Sequence, residues 1–175
     1  RGPVCINLPR NLLAEKNNYK INDKIKSFKN TNNTQSNPTS IQRAAKLISN
    51  SSKVIIIVGG GIKYTSGFKT IIKLAEYLNV PIVTAAGHGD AIPFNHKLNA
   101  GQMGPRGNLV ATKLTKEADV IMAIGTRLGF NSTFLSYEYI NKKAKIIQIE
   151  LEKKMLGRYF PIQIGINADA ETSAN

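Results

Sequence analysis

Three consecutive glycines, Gly59-Gly60-Gly61, follow the apolar run Val54-Ile55-Ile56-Ile57-Val58 and lead into a segment with helical spacing. Bare amides at the mouth of a helix suit an anion, because no side chain blocks approach and the helix dipole favours negative charge. The spacing completes no phosphate fingerprint. A dinucleotide G-x-G-x-x-G would need glycine where Tyr64 stands, and no Gly-Lys-Ser/Thr follows as a P-loop requires. Phosphate contact and a tight strand-to-helix turn both remain open readings of these glycines. Three further groups come directly after apolar runs: Thr84-Ala85-Ala86 with His88 and Asp90 beyond, Gly125-Thr126-Arg127, and Gln148-Ile149-Glu150-Leu151-Glu152. Amides and a helix N-terminus for phosphate, arginine for phosphate or base, and a carboxylate for ribose hydroxyls together suit a nucleotide. The competing reading pairs Arg127 with Glu150 or Glu152 as a rim salt bridge. His88 and His96, with Asp90 between them, lack a third converging ligand and a nucleophile, so they read as ordinary loop histidines. The loop AGQMGPRG (100–107) adds amides and Arg106 as a second phosphate or pocket element.

These groups are useful only if the chain brings them to one place. Apolar runs at 53–58, 81–86, 119–125, 144–151 and 161–166 are continuous rather than alternating, as strands of a parallel sheet covered on both faces are. Between them lie helical patterns: Ile41, Ala44, Ala45 and Ile48 after a Pro38-Thr39-Ser40 cap, then Phe68, Ile71, Ile72 and Ala75 over 66–78, then 107–117. The alternation predicts a doubly wound, Rossmann-like α/β domain: a mostly parallel sheet of five to six strands with helices on both faces. In such sheets ligands bind beyond the carboxyl ends of the strands, where every group named above falls. Upstream, residues 2–11 read as a short strand ending at Pro9, and the polar, Asn/Lys-rich stretch 15–37 reads as a linker.

The chain has 175 residues, room for one ordinary domain with a real core plus extra segments. No apolar run approaches the ~20 residues of a membrane helix. The net charge of +13 raises nucleic acid as a partner. The lysines are scattered, without a basic run of five or interleaved aromatics, so a solvated basic surface is the better reading and no nucleic-acid role is expected. The single Cys5 in a strand-like run reads as a buried, inert thiol, and cytoplasm is the simplest compartment. The start at Arg1-Gly2-Pro3-Val4, without Met or a signal pattern, reads as a fragment of a longer chain.

GPVCINLPRN, IQRAAKLI, VIIIVGGG, LAEYLNVPIVTAA, NHKLNAGQMGPRG, EADVIMAIGTRL, AKIIQIELEKKMLGR and GINADA occur in that order. Together they resemble the central domain of thiamine-diphosphate-dependent enzymes of the acetolactate synthase type, with GTRLGFNST and KIIQIELEKKMLGR most similar to the sulfoacetaldehyde acetyltransferase branch. The resemblance implies that residues 1–14 end a pyrimidine-binding domain, that 15–37 is a linker, and that 38–175 is the central domain. It implies a homo-dimer or homo-tetramer whose flanking pyrimidine- and diphosphate-binding domains hold thiamine diphosphate and Mg²⁺. No catalytic or metal-ligating residue is then expected in this chain. Relatives that bind FAD or ADP do so along the same rim, which carries over Gly59, Gly60, Gly61, Thr84, Gly125, Thr126, Arg127, Glu150 and Asp169 as cofactor-binding positions. A non-catalytic nucleotide-binding module, of electron-transfer flavoprotein or sirtuin-like type, is the alternative.

Overall fold

The computed structural model describes residues 5–16, 18, 35–64 and 67–174. Two compact units divide the chain, Arg1–Thr31 and Asn32–Asn175. In the first, the short helix α1 (Arg10–Ala14) starts behind Pro9. The strand expected to end at Pro9 is not formed over residues 5–9, and Cys5 is exposed, not buried. A strand needs a partner for its amides, and among the described residues this run has none. Residues 2–4 and most of the 15–37 stretch lie outside the described residues.

The second unit is the α/β domain. Helix α2 (Pro38–Ser49) begins with Pro38 in its first turn, and its cap is Asn37, whose side chain accepts from the Thr39 N–H at 2.9 Å. That replaces the Pro-Thr-Ser cap expected from the sequence, since proline is preorganised for the first helical position and asparagine is the better acceptor before it. Ala44 is buried and Ile41, Leu47 and Ile48 pack beside it, while Ala45 is exposed. There follow β1 (Val54–Val58), a 3₁₀ turn at Gly60–Tyr64, α3 (Gly67–Leu78), β2 (Ile82–Thr84) and β3 (Asn99–Gln102). Then come α4 (Leu109–Glu117), β4 (Val120–Ile124), α5 (Phe130–Thr133), β5 (Lys145–Glu150), β6 (Ile164–Asn167) and α6 (Ala170–Ala174).

All six strands are parallel, in the order β3-β2-β1-β4-β5-β6. The chain builds outward from β1 in one direction, then returns to start β4 on its other side. Successive residues alternate between two cores. Val54, Ile56 and Val58 of β1, with Val120, Met122 and Ile124 of β4, face α2, α3 and α6. Ile55 and Ile57, with Ile121 and Ala123, face Ala111 and Leu114 of α4, and Ile140 and Phe160. Burying such a side chain is worth about 1.5–3 kcal/mol, so two filled faces hold the sheet between its helices. Among the described residues no helix is long and apolar enough to cross a membrane. Strand β3 falls in a stretch that reads from sequence as loop. Its residues Asn-Ala-Gly-Gln have low β propensity, and the register against β2 shifts beside Gly101, whose φ is +89°.

At the switch between β1 and β4 the two exit turns interlock. Gly59 N–H donates to the Ile124 carbonyl at 3.1 Å and Gly61 N–H to the Gly125 carbonyl at 2.9 Å. A Cβ on Gly59 would stand 2.6 Å from the Gly125 oxygen, and one on Gly61 2.7 Å from the Gly125 Cα. Gly125 itself has φ +59°, where a side chain is strained. The backbones meet at a distance that glycine alone permits.

Three substitutions separate packing from conformation. Gly61→Ala meets backbone in an ordinary conformation and should cost about 1–3 kcal/mol by overpacking. Gly87→Ala meets open space at φ +80° and should cost about 1–2 kcal/mol from the left-handed conformation alone. Gly89→Ala, with open space and no positive φ, should stay within about 0.5 kcal/mol of the parent. Urea denaturation of the three variants checks the ranking, and an unperturbed Gly61→Ala would refute the interlock.

Candidate functional site

The carboxyl ends of β1, β2, β4 and β5 bring the residues singled out from sequence to one rim. Thr84 closes β2, paired in register with Val58 of β1 and Gln102 of β3. It is fully buried, and among the described residues its Oγ1 has no hydrogen-bond partner. His88 lies just beyond, its ring against Gly60, where a Cβ would come within 2.8 Å of Cε1. Its Nδ1 is the other buried side-chain N or O atom without a partner among the described residues. Burial first, then the Lys63 ammonium, push the His88 imidazole below its usual pKa, against a smaller upward pull from Asp90. Lys63 Nζ pairs with Asp90, which holds that carboxyl below its ordinary value. No spacing in the sequence signals this cluster, because His88 meets Lys63 only after the turn behind Gly61 folds across the end of β2.

Beyond β4, Gly125 N–H donates to the Ile149 carbonyl at 3.0 Å, and Thr126 Oγ1 accepts from the Leu128 N–H at 3.2 Å. Arg127 is exposed and makes no ion pair among the described residues, so the rim salt bridge to Glu150 or Glu152 does not form. Glu150 turns back on its own backbone, Oε1 accepting from the Leu151 N–H at 3.0 Å. Glu152 pairs with Lys154 at 2.6 Å. Asp169 accepts from the Glu171 N–H at 2.8 Å, tying its carboxylate to the start of α6. Of the nine expected positions, Gly59, Gly61, Gly125, Thr126, Glu150 and Asp169 therefore already serve protein partners. Arg127 and the Thr84 hydroxyl retain unspent hydrogen-bonding capacity.

Polar residues outside the nine expected positions also shape the rim. Gln148 is buried in β5, its Oε1 accepting from Gly157 N–H at 2.8 Å and its Nε2 donating to the Thr126 carbonyl at 3.2 Å. Its sequence signal is a polar residue inside an otherwise apolar strand. Ser132 Oγ accepts from Ala86 N–H at 2.9 Å, and Gln102 Oε1 from Gly87 N–H at 3.1 Å, fixing the loop after β2 to α5 and β3. His96 reads as structural in the fold too: Nε2 lies 3.4 Å from Glu76 Oε1, and Nδ1 accepts from Leu98 N–H at 3.3 Å. Arg106 is exposed beside α4, whose cap is Asn108 accepting from Ala111 N–H at 2.7 Å. Among the described residues no three His, Cys, Asp or Glu side chains converge as metal ligands.

Two cavities lie away from this rim. One of about 490 Å³ is lined by Ser52, Lys53, Asn79, Pro81 and Glu117, and one of about 300 Å³ by residues of α2, β5 and β6. Both lie at the amino ends of the strands.

Comparison with known proteins identifies the architecture. The family "Thiamine pyrophosphate enzyme, central domain" matches residues 41–175. Sulfoacetaldehyde acetyltransferase of Castellaniella defragrans is 34% identical over 99% of this chain and 29% of its own length. A probable acetolactate synthase large subunit of Methanocaldococcus jannaschii is 31% identical over 97% of this chain and 29% of its own. The 3D-(3,5/4)-trihydroxycyclohexane-1,2-dione hydrolase of Clostridium perfringens is 31% identical over 87% of this chain and 24% of its own. The chain thus spans less than a third of the length of these relatives. The match supports the thiamine reading and not the electron-transfer or sirtuin-like one. With its six parallel strands and matched length, this chain belongs to the family of thiamine pyrophosphate enzyme central domains.

Proposed function

We propose that the polypeptide carrying this domain uses thiamine diphosphate and Mg²⁺ to take a two-carbon unit from a 2-oxo acid or an aldehyde and pass it to an acceptor. The observation that carries this reading is likeness over nearly the whole chain to a sulfoacetaldehyde acetyltransferase, at 34% identity. The acetolactate synthase relative is close behind at 31%. Leu128-Gly129-Phe130-Asn131, standing where acetolactate synthases typically carry aspartates, favours the acetyltransferase branch. Thiamine diphosphate, when bound, supplies a nucleophilic carbon that holds the two-carbon unit. Flanking pyrimidine- and diphosphate-binding domains hold it, in a cytoplasmic homo-dimer or homo-tetramer. The residues of this chain supply a scaffold and no catalytic group.

An adenine nucleotide, ADP or FAD, is the ligand we assign to the carboxyl rim. The support is the position of the rim at a topological switch point, the unpaired Arg127, and the buried Thr84 hydroxyl without a partner. Gly59, Gly60, Gly61, Gly125 and Thr126 then border the ligand with backbone, and Glu150 and Asp169 flank it.

The complete polypeptide, assayed with thiamine diphosphate and Mg²⁺, should consume sulfoacetaldehyde or pyruvate, and omission of the cofactor should abolish turnover. Turnover of neither substrate would overturn the acyl-transfer reading. This chain alone should be inactive in the same assay.

Arg127→Ala should weaken ADP or FAD binding by about 1.5–3 kcal/mol, the worth of a hydrogen bond to a charged group. Folding stability should change by no more than about 1 kcal/mol, since an exposed charge contributes little. Calorimetric titration beside a urea curve checks both. A parent protein that binds neither nucleotide removes the nucleotide role.

A further inference from the structure

We propose that the cavity of about 300 Å³ between α2, β5 and β6 binds a compact polyanion bearing two or more linked phosphate groups. It lies at the amino ends of the strands, at the opposite end of the sheet from the nucleotide rim, and does not depend on that reading. Arg43 and Lys46 reach it from α2 and Lys145 from the first position of β5. The polar remainder of its lining is Asn50, Gln163 and Ser51; the two amides are able to donate, the Ser51 hydroxyl already donates to the Leu47 carbonyl at 2.7 Å, and Leu47 and Ile164 supply apolar surface. Among the described residues no carboxylate lines it.

The neighbouring cavity makes the contrast. That larger space holds its own counter-charge, Lys53 Nζ standing 3.2 Å from Glu117 Oε2. Elsewhere Lys63, Lys97, Lys113 and Lys154 each have a carboxylate within 4 Å. Arg43, Lys46 and Lys145 have none among the described residues, as is also true of other exposed cations such as Lys69 and Lys73; what sets the three apart is that they line one concavity together. Arg43 and Lys46 sit three apart on one helix, a spacing at which like charges repel. The carboxyl end of α2 accounts for Lys46, which lies in its last turn, because helix termini of that sign favour cations. It does not account for Arg43 one turn earlier, or for Lys145, which arrives from a different element. A ligand carrying several adjacent negative charges neutralises all three at once. Arginine offers it a bidentate fork, and the two lysines offer point charges.

The probe is inorganic tripolyphosphate, titrated calorimetrically into the 175-residue chain at about 0.15 M salt, where diffuse surface attraction is screened beyond ~8 Å. Saturable one-to-one binding is expected. Lys145→Glu and the double variant Arg43→Glu/Lys46→Glu should each weaken it at least about tenfold. Lys69→Glu/Lys73→Glu, with the same charge change on exposed positions of α3, should leave it within about twofold. Arg43, Lys46 and Lys145 are exposed as well, and a thermal melt of each variant confirms its fold. Lys145→Gln, which removes charge without reversing it, should fall between parent and Lys145→Glu. Absence of saturable binding, or equal losses in the cavity and α3 variants, would overturn the site. Competition by sulfate at matched ionic strength as effective as tripolyphosphate would equally overturn the requirement for linked phosphates.

Discussion

The contact on which the rest of this domain depends is the meeting of two strand exits at the centre of the sheet. β1 and β4 lie side by side, and the turn leaving each crosses the other at backbone distance. Two N–H groups, of Gly59 and Gly61, are satisfied by the carbonyls of Ile124 and Gly125. That arrangement fixes where the 3₁₀ turn at Gly60–Tyr64 lies, and so where Lys63 meets Asp90 and where His88 rests on Gly60. It also sets the start of α3 over the first core. One small-residue requirement at the switch point therefore propagates into the whole carboxyl rim.

The same constraint alters how the glycine run is understood. From types and spacing alone, Gly59-Gly60-Gly61 reads equally as a phosphate cradle or a tight turn. In the fold, two of its three amides serve the neighbouring turn, and the absent side chains accommodate protein backbone and the His88 ring. Glycine is permissive toward any close approach, and a sequence does not say whether the approaching group is a ligand or another loop. The carboxylates behave likewise. Glu150 and Asp169 close local turns, as acidic side chains beside free amides can do, and Arg127 is left facing solvent.

The architecture was legible because its signal is strong and redundant. VIIIV, DVIMAI and KIIQIE are apolar with little alternation, which a sheet filled on both faces demands, and helical patterns separate the strands along the chain. What could not be read were elements with weak local preference. Asn99–Gln102 becomes a strand because β2 offers it an open edge, not because its residues favour extension. The upstream run around Cys5 fails in the opposite sense: its apolar residues suggest a strand, yet among the described residues nothing pairs with it. Ala45 and Leu47 exchange roles on α2 because helix packing rewards the larger side chain. Gln148 stands out in sequence only as an interruption, although its amide joins the exits of β4 and β5.

Amide hydrogen exchange at single residues tests the interlock most directly. Buried backbone hydrogen bonds in a core element open only with large-scale unfolding. Gly59 and Gly61 should accordingly exchange as slowly as Ile56 and Met122 in the adjoining strands, without any added nucleotide. Fast exchange at both glycines, slowed only when ADP or FAD is present, would show that their amides wait for a ligand and would contradict the interlock of the two strand exits.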